Sequence, residues 1–413
     1  MPEFLKLATP SAALGRWLET IPSPLASRIE RIPTPLALGR VLAEAITAQE
    51  ALPPFSRSTV DGYALRAEDT FGASASAPSY LQLAGEVPMG AAPVLAIGPG
   101  QAAVVHTGGA IPAGANAVVM LEDTQQVPGG EIEVFVALGI GRNVITAGED
   151  VQPGERVLEP GLRLRPQEIG GLMALGVTEI LVRPRVRLGI ISTGDEVVPA
   201  EASPGPGQVR DVNTHTLSAL ALRWGAEPRA HGIIPDDLEA LLRTARQALA
   251  QDDLVAITAG SSASTRDNTA EVVSRLGDPG VLVHGLAIRP GKPTILGVAG
   301  RTPIIGLPGN PVSALVIAGL MIPPAVRKLS GEMRPAVTAT VRATLAADVP
   351  SEAGREDYIP VRLEATPAGW IADPVFGKSN LIFTLVRADG LIRIPAEATG
   401  LTRGSPIDVI PME

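Results

Sequence analysis

Ile288-Arg289-Pro290-Gly291-Lys292-Pro293 is followed, a short strand further on, by Gly306-Leu307-Pro308-Gly309-Asn310-Pro311-Val312-Ser313-Ala314. Between these two glycine–proline loops, Thr294-Ile295-Leu296-Gly297 and Thr302-Pro303-Ile304-Ile305 read as strands. The second loop also reads as a helix start. Asn310 suits the N-cap, and Pro311 falls at the first helical position, where no amide hydrogen is needed. Such a turn leaves backbone N–H groups and the positive helix end facing one spot, which suits an anion. Lys292 and Arg289 add full positive charge beside it. The two loops form a candidate oxyanion or phosphate pocket at the edge of an α/β sheet.

Working outward, the chain from Arg185 alternates strand and helix. Val186–Ser192, Ala230–Ile234, Leu254–Thr258 and Val281–Ala287 read as strands, and helices start at Asn213, Asp237 and Asn268. This alternation predicts a parallel or mostly parallel sheet with helices on both faces. Ligands of such sheets gather at the carboxyl ends of the strands. Gly194-Asp195-Glu196, Pro235-Asp236-Asp237, Ala259-Gly260-Ser261 and Leu307-Pro308-Gly309 all follow strands and are expected on one rim. The apolar run Val312–Ile322 stops at Pro323-Pro324, too short to span a bilayer, and reads as a buried helix. Towards the N-terminus, Ser11–Ile21, Leu36–Ala48 and Pro166–Gly176 have helical spacing. Between Leu52 and Asp150, short β-type runs alternate with Gly, Pro and Asn turns, a β-rich module. After about Lys328 the texture is β again, a small barrel or sandwich.

At 413 residues the chain exceeds one ordinary core, and roughly two to four domains are expected. Aromatic residues are only 3%, so the cores are aliphatic and stacking platforms for single-stranded nucleic acid are lacking. A net charge of −9 also argues against a phosphate-backbone binder. An acidic protein that handles anions must gather cations locally or use a divalent metal. The absence of cysteine removes disulfides, thiolate zinc sites and cysteine nucleophiles, and fits the cytoplasm. Met1–Thr20 has no apolar core of the signal-peptide type. Neither nucleic acid nor membrane is an expected partner.

The carboxylates Asp195, Glu196, Asp236 and Asp237 lie just past strands, beside the predicted anion pocket. Mg²⁺ prefers carboxylate oxygens combined with substrate phosphate oxygens, so the set points to a metal-bridged phosphate ligand. Taken singly, Asp237 is a helix cap and Asp195 a solvated side chain. Asp61, in Ser58-Thr59-Val60-Asp61-Gly62-Tyr63-Ala64, taken alone is a turn residue. Thr107-Gly108-Gly109 opens a Gly-rich loop, and Gly148-Glu149-Asp150 reads as a surface turn. The four histidines have no metal-ligand spacing, and ordinary structural roles are expected of them.

Taken together, the loops at 58–64, 107–119, 148–150, 192–196, 289–293 and 306–314 resemble the molybdopterin molybdenumtransferase family, the molybdenum-insertion enzymes of cofactor biosynthesis, similar to the E domain of gephyrin. The resemblance implies an elongated homodimer of multidomain α/β and β subunits. It implies a discontinuous helical/β dimerisation domain at 1–52 and 149–184, an inserted β-rich domain at 53–148, a mostly parallel α/β molybdopterin-binding domain at 185–330 and a C-terminal β-barrel at 331–413. The implied reaction loads molybdenum from molybdate, a substrate, onto adenylylated molybdopterin and releases AMP, with Mg²⁺ assisting. Transient contact with the adenylylating enzyme is implied too.

By the same resemblance, Arg289, Lys292, Pro293, Arg355 and Ser379 match the molybdate pocket. Asp61, Thr107, Asp150, Glu196 and Asp236 match catalytic positions. Gly194, Asp195, Gly260, Ser261, Pro308, Gly309, Asn310 and Ser313 match the pterin and phosphate cradle. Arg289 stands where the family more often has Lys. One loop departs. Arg266 and Asn268 stand where the family has acidic residues, leaving Glu196, Asp236 and the adjacent Asp267 as the implied metal ligands. That loop favours an alternative, a paralogous pterin-binding or scaffold protein of the same fold with lost or altered catalysis.

Overall fold

Leu254–Ala259 is apolar at nearly every position because both faces of its strand are covered. All its residues are buried. A computed structural model describes residues 7–22, 28–259, 263–335 and 339–412, the side chains of 263–267 excepted. The central sheet comprises β1 (Arg187–Thr193), β2 (Glu227–Ile234), β3 (Leu254–Ala259), β4 (Pro279–His284), β5 (Ile295–Ala299) and β6 (Thr302–Pro308), and its six strands run in the order β2-β1-β3-β6-β5-β4. The pairs β1–β2, β1–β3 and β3–β6 are parallel, whereas β5 pairs antiparallel with both β6 and β4. The mostly parallel sheet read from the sequence is thus present, with an antiparallel edge.

Strand residues alternate between two cores. Leu188, Leu254, Ala256 and Leu307 pack with helices α1 (Pro10–Thr20), α3 (Asn213–Arg223) and α6 (Pro311–Ser330). Ile191, Val255, Ile257 and Ile304 face α4 (Leu238–Gln251) and α5 (Ala263–Leu276). Helix α2 (Pro166–Ala174) belongs to a separate small core with Leu42, Leu164 and Ile180.

Three sequence expectations are corrected. Leu36–Ala48 is not a helix but a single 3₁₀ turn at Thr34–Leu36 followed by the short strand Ile46–Thr47. Its backbone donors are spent across the chain, Leu42 N on Leu162 O at 2.9 Å and Ala43 N on Leu181 O at 2.9 Å. These pairings, with the antiparallel ladders Glu30–Pro33/Glu179–Val182 and Ile46–Thr47/Arg156–Leu158, bring together the chain before and after the β-rich insertion.

Second, α6 does not stop at Pro323. It continues through Pro323 and Pro324 to Ser330 and ends on Gly331 in the left-handed region (φ 71°). Burial of Ile322, Ala325, Val326 and Leu329 outweighs the lost backbone hydrogen bonds. The helix is long and apolar enough to cross a membrane, but most of it is buried in the protein interior.

Third, α1 docks on the α/β core rather than joining the strand pairs that close the β-rich insertion. Trp17 is fully buried and its Nε1–H donates to Gly297 O at 2.8 Å.

The insertion itself is a six-stranded sheet, in the spatial order Ala117–Met120, Gly62–Leu65, Gln101–Val105, Ser79–Glu86, Glu131–Val134, Thr124–Val127. The C-terminal strands Glu356–Thr366, Gly369–Pro374, Val341–Leu345, Pro406–Pro411 and Gly390–Ile394 close on themselves as a barrel, because the first also pairs with the last. The two-residue strand Ile288–Arg289 adds to this barrel in parallel with Glu356-Asp357.

Trp17→Ala is expected to destabilise the α/β core by about 3–5 kcal/mol, the range for truncating a fully buried aromatic. Urea unfolding followed by far-UV circular dichroism measures it, and a loss below about 1 kcal/mol would show that α1 is not anchored as described.

Candidate active site

Helix α6 begins where β6 ends. Asn310 has the extended backbone of an N-cap (φ −65°, ψ 123°), yet its side chain does not cap the helix. Its Nδ2–H donates instead to Ser379 Oγ at 3.1 Å, in the barrel. The Ser379 carbonyl in turn accepts from Val312 N at 3.1 Å. The bare helix end read from the sequence is therefore partly closed by a barrel loop. Asn213, on α3, donates to Gly309 O at 2.8 Å and fixes the turn from the other side.

The Lys292 loop reaches the same rim. Ile295 of β5 lies opposite Gly306 of β6, so Lys292-Pro293-Thr294 and Leu307-Pro308-Gly309 leave the sheet at one end. Gly291 adopts φ 113°, and a Cβ there would sit 2.3 Å from Ile317 Cδ1, so only glycine lets the loop lie on α6. Leu286 N donates to Lys292 O at 2.8 Å, and Thr294 Oγ1 to Gly291 O at 2.6 Å. Lys292 is exposed and Pro293 half-buried. Arg289, just upstream, sits beside Asp357 (3.9 Å), and Arg355 Nε bonds Asp357 Oδ1 at 2.9 Å. The fold thus brings Arg289, Lys292, Pro293, Arg355, Ser379, Pro308, Gly309, Asn310 and the buried Ser313 to the junction of the α/β sheet and the barrel.

The parallel strands end in a row of carboxylates. Gly194 N donates to Ile234 O at 3.2 Å, and Asp195 Oδ1 accepts from Asp236 N at 3.1 Å. Gly194 (φ 140°) leaves room for the Glu196 carboxylate, whose Oε2 would lie 2.7 Å from a Cβ at 194. Asp236 stays largely open to solvent. Partial loss of hydration, then the charges of Asp195 and Glu196, push its carboxyl above the usual aspartate range. Asp237 caps α4 through Ala240 N at 2.7 Å, the structural role expected of it singly. Among the described residues no group of three or more His, Asp or Glu side chains is arranged to hold a metal ion. Gly260, Ser261 and the side chain of Asp267 lie outside the described residues.

Asp61, Thr107 and Asp150 stand apart. Asp61 Oδ1 accepts from Thr107 N at 2.9 Å, and this bond holds the Asp61 carboxyl below the usual range. Asp150 is exposed, with its N–H on Leu52 O at 3.0 Å. Among the described residues no hydrogen bond or ion pair joins these three to the rim within one chain. His106, read from the sequence as structural, lies between Glu86 (2.9 Å) and Asp61 (3.6 Å), and first Glu86, then the Asp61 charge, raise its pKa. Its adjacency to Thr107-Gly108-Gly109 was the available signal. The link of Asp357 to Arg289 and that of Asn213 to Gly309 carried none, because these partners are remote in sequence.

A cleft of about 670 Å³ lined by Gly161, Arg183, Arg327, Lys328 and Met333 lies at the far, C-terminal end of α6. Its cations Arg183, Arg327, Lys328 and Arg334 lie beside the negative end of the helix, and none of the loops at 192–196, 289–293 or 306–314 lines it.

Residues 8–176 match the MoeA N-terminal region (domain I and II), 189–328 a probable molybdopterin binding domain, and 342–412 the MoeA C-terminal region (domain IV). Molybdopterin molybdenumtransferase 2 of Mycobacterium tuberculosis is 34% identical over 92% of this chain and 94% of its own length. This chain belongs to the molybdopterin molybdenumtransferase family. Another relative of this molybdenumtransferase is a putative molybdopterin biosynthesis protein of Methanocaldococcus jannaschii, 36% identical over 90% of this chain and 89% of its own. Among solved structures, the molybdopterin biosynthesis MoeA protein of Pyrococcus horikoshii OT3 superposes with a TM-score of 0.84 at 34% identity, covering 98% of this chain and 99% of that one. The multidomain α/β fold with its closed barrel is the fold of the family. The family places the chain among the transferases of molybdenum cofactor biosynthesis.

The carboxylate row gives this molybdenumtransferase a pH signature. Because the folded-state pKa of Asp236 is raised, its ionised form opposes folding. Asp236→Asn is therefore expected to raise the melting temperature at neutral pH, with the advantage vanishing as pH falls through the raised pKa and below the unfolded value. Calorimetry at both ends of that range decides it, and a less stable Asn variant at neutral pH would contradict the assigned repulsion.

Proposed function

We propose that this chain inserts molybdenum from molybdate into adenylylated molybdopterin and releases AMP. The observation that carries the reading is the gathering of Arg289, Lys292, Arg355 and Ser379 at the α/β–barrel junction, on the same rim of the sheet as the carboxylate row. Molybdate is a tetrahedral dianion. Guanidinium and ammonium donors with a hydroxyl supply charge-assisted hydrogen bonds to its oxygens, and Pro293 limits how far the Lys292 loop can move. Gly194, Asp195, Pro308, Gly309, Asn310 and Ser313 line the rim where the pterin and its phosphate lie.

A carboxylate row repels a phosphoanhydride, so the two are compatible only with a cation between them. Mg²⁺ typically takes one or two protein carboxylates and completes its shell with phosphate oxygens and water, and the mutual repulsion at Asp236 is what such an ion relieves. Glu196 and Asp236 are its holders in this reading. When bound it stabilises the charge that develops on departing AMP. The protein's own groups do the rest. Lys292, Arg289 and Arg355 hold molybdate, and Ser379 donates its hydroxyl hydrogen to a molybdate oxygen.

Asp61, Thr107 and Asp150 enter from a second copy of the chain. Their lack of contact with the rim in one chain supports this, as does the exposure of Leu36 (71%) and Leu38 (55%) on the strand-paired unit, where a dimer face would form. The adenylylated substrate calls for transient contact with the enzyme that makes it. A cytoplasmic site of action fits the cysteine-free composition.

Lys292→Ala is expected to weaken molybdate binding at least about tenfold while pterin binding stays within about twofold, since one charge-assisted contact is removed. Calorimetric titration of each ligand measures both, and equal loss would refute the assigned role. AMP release from adenylylated molybdopterin with molybdate and Mg²⁺, followed by chromatography, tests the reaction; molybdenum transfer without AMP would overturn the adenylate step. The shared site is tested by mixing two inactive variants, Asp61→Ala and Lys292→Ala. Random reassociation should restore about a quarter of wild-type activity, because each mixed dimer regains one intact site of two. No recovery, with mixed dimers shown to form, would place all the groups within one chain.

A further inference from the structure

We infer that Asp357 is a positioning residue that aims Arg289 and Arg355 at the oxyanion; the inference rests on the functional reading above. Arg289 lies opposite Asp357 in the parallel ladder between Ile288–Arg289 and the first barrel strand. Arg355 lies two residues before Asp357, just ahead of the strand, and its side chain turns onto the same carboxylate. The Asp357 side chain is 0% exposed. Its Oδ1 accepts from Arg355 Nε at 2.9 Å, while Oδ2 has no hydrogen-bond partner among the described residues and stands 3.9 Å from Arg289 Nη1. One buried carboxylate thus faces two guanidiniums.

Engaging Arg355 through Nε leaves its outer nitrogens for something else. Nη1 meets Glu352 Oε2 at 2.9 Å, and Nη2 is buried with no hydrogen-bond partner among the described residues. An unsatisfied buried guanidinium N–H calls for an acceptor, and an oxygen of a tetrahedral anion is one. Glu352 is 75% exposed and can give way to a ligand oxygen; Asp357 cannot. Glu356, which points to the other face, is occupied by Tyr358 Oη at 3.1 Å and Arg393 Nε at 3.2 Å and takes no part. Removing the Asp357 charge would make the pocket more positive. That gain opposes the loss of aim, but a neutral amide clasps two guanidiniums less firmly than a carboxylate does, and in this proposal the aim of the two long side chains counts for more.

The full-length enzyme is titrated with sodium molybdate alone and assayed with both substrates varied. Asp357→Asn is expected to weaken molybdate binding, and raise its KM, about tenfold, with the KM for the pterin substrate within about twofold. Glu352→Gln, which removes a competing carboxylate, should tighten molybdate binding about two- to threefold. In an Arg355→Gln background Asp357→Asn should cost less than it does in the wild type, because the carboxylate acts partly through that arginine. Molybdate binding unchanged in Asp357→Asn, an equal loss for both substrates, additive losses, or a Glu352→Gln loss as large as that of Asp357→Asn would each overturn the inference. Should Asp357→Asn fail to fold, Arg355→Lys carries the test. A lysine keeps the charge but has no Nε edge to clasp, and full retention of molybdate affinity would overturn the proposal. Wild-type protein that binds no molybdate overturns the functional reading itself, whereas binding lost in Lys292→Ala but kept in Asp357→Asn removes only the role of Asp357.

Discussion

Ser379 ties the barrel to the start of the long core helix. Its carbonyl takes the Val312 amide and its hydroxyl takes the Asn310 side chain, so one residue satisfies a helix end and fixes the neighbouring unit. The two-residue strand Ile288–Arg289 makes a second tie, entering the barrel sheet from the α/β side. Between these ties lie the loops that carry Lys292 and Asn310. The placement of Arg355 against Arg289 and Lys292 depends on that junction, because Arg355 comes from the barrel and the other two from one loop of the α/β unit. The cost of ordering long cationic side chains is met in part by the buried Asp357 carboxylate.

Electrostatics then shape the surroundings. A chain of net charge −9 repels a dianion at long range, so attraction must be local. Cations occupy the barrel side of the junction and carboxylates the ends of the parallel strands. Opposite charges on neighbouring edges suit a ligand that itself carries an oxyanion and a metal-bridged phosphate. The raised pKa of Asp236 records partial loss of hydration and then the charges of Asp195 and Glu196, and the lowered pKa of Asp61 records a carboxylate already satisfied by a backbone amide. The two carboxylates differ in surroundings rather than in residue type.

The sheet was legible because its inner strands are mostly apolar and its helices amphipathic, patterns that local periodicity exposes. The rim was legible too, since a parallel sheet sends every strand end to one side. Leu36–Ala48 misled for the same reason that periodicity works elsewhere. Its apolar residues recur at helical spacing, but Ala37, Leu42 and Ile46 are buried in a small core with Leu162, Leu164 and Ile180, contributed by the chain beyond the insertion. Pro323-Pro324 read as a stop, yet packing of both flanks in one core carried α6 through it. Asn310 read as a cap, and the competing hydroxyl of Ser379, remote in sequence, drew its side chain away.

What the sequence alone determined is the list of parts: an aliphatic α/β sheet, a β-rich insertion, a terminal barrel, and the glycine–proline loops and charged residues between them. Local spacing encodes these because helices and strands bury apolar groups at fixed periods. Only the tertiary structure decided which parts meet. The pairing of Arg289 with Asp357, the capping of Val312 by Ser379 and the docking of Trp17 under Gly297 join residues far apart along the chain. Such contacts form when separate units close their remaining polar groups and apolar surfaces against one another, and no local pattern records that choice.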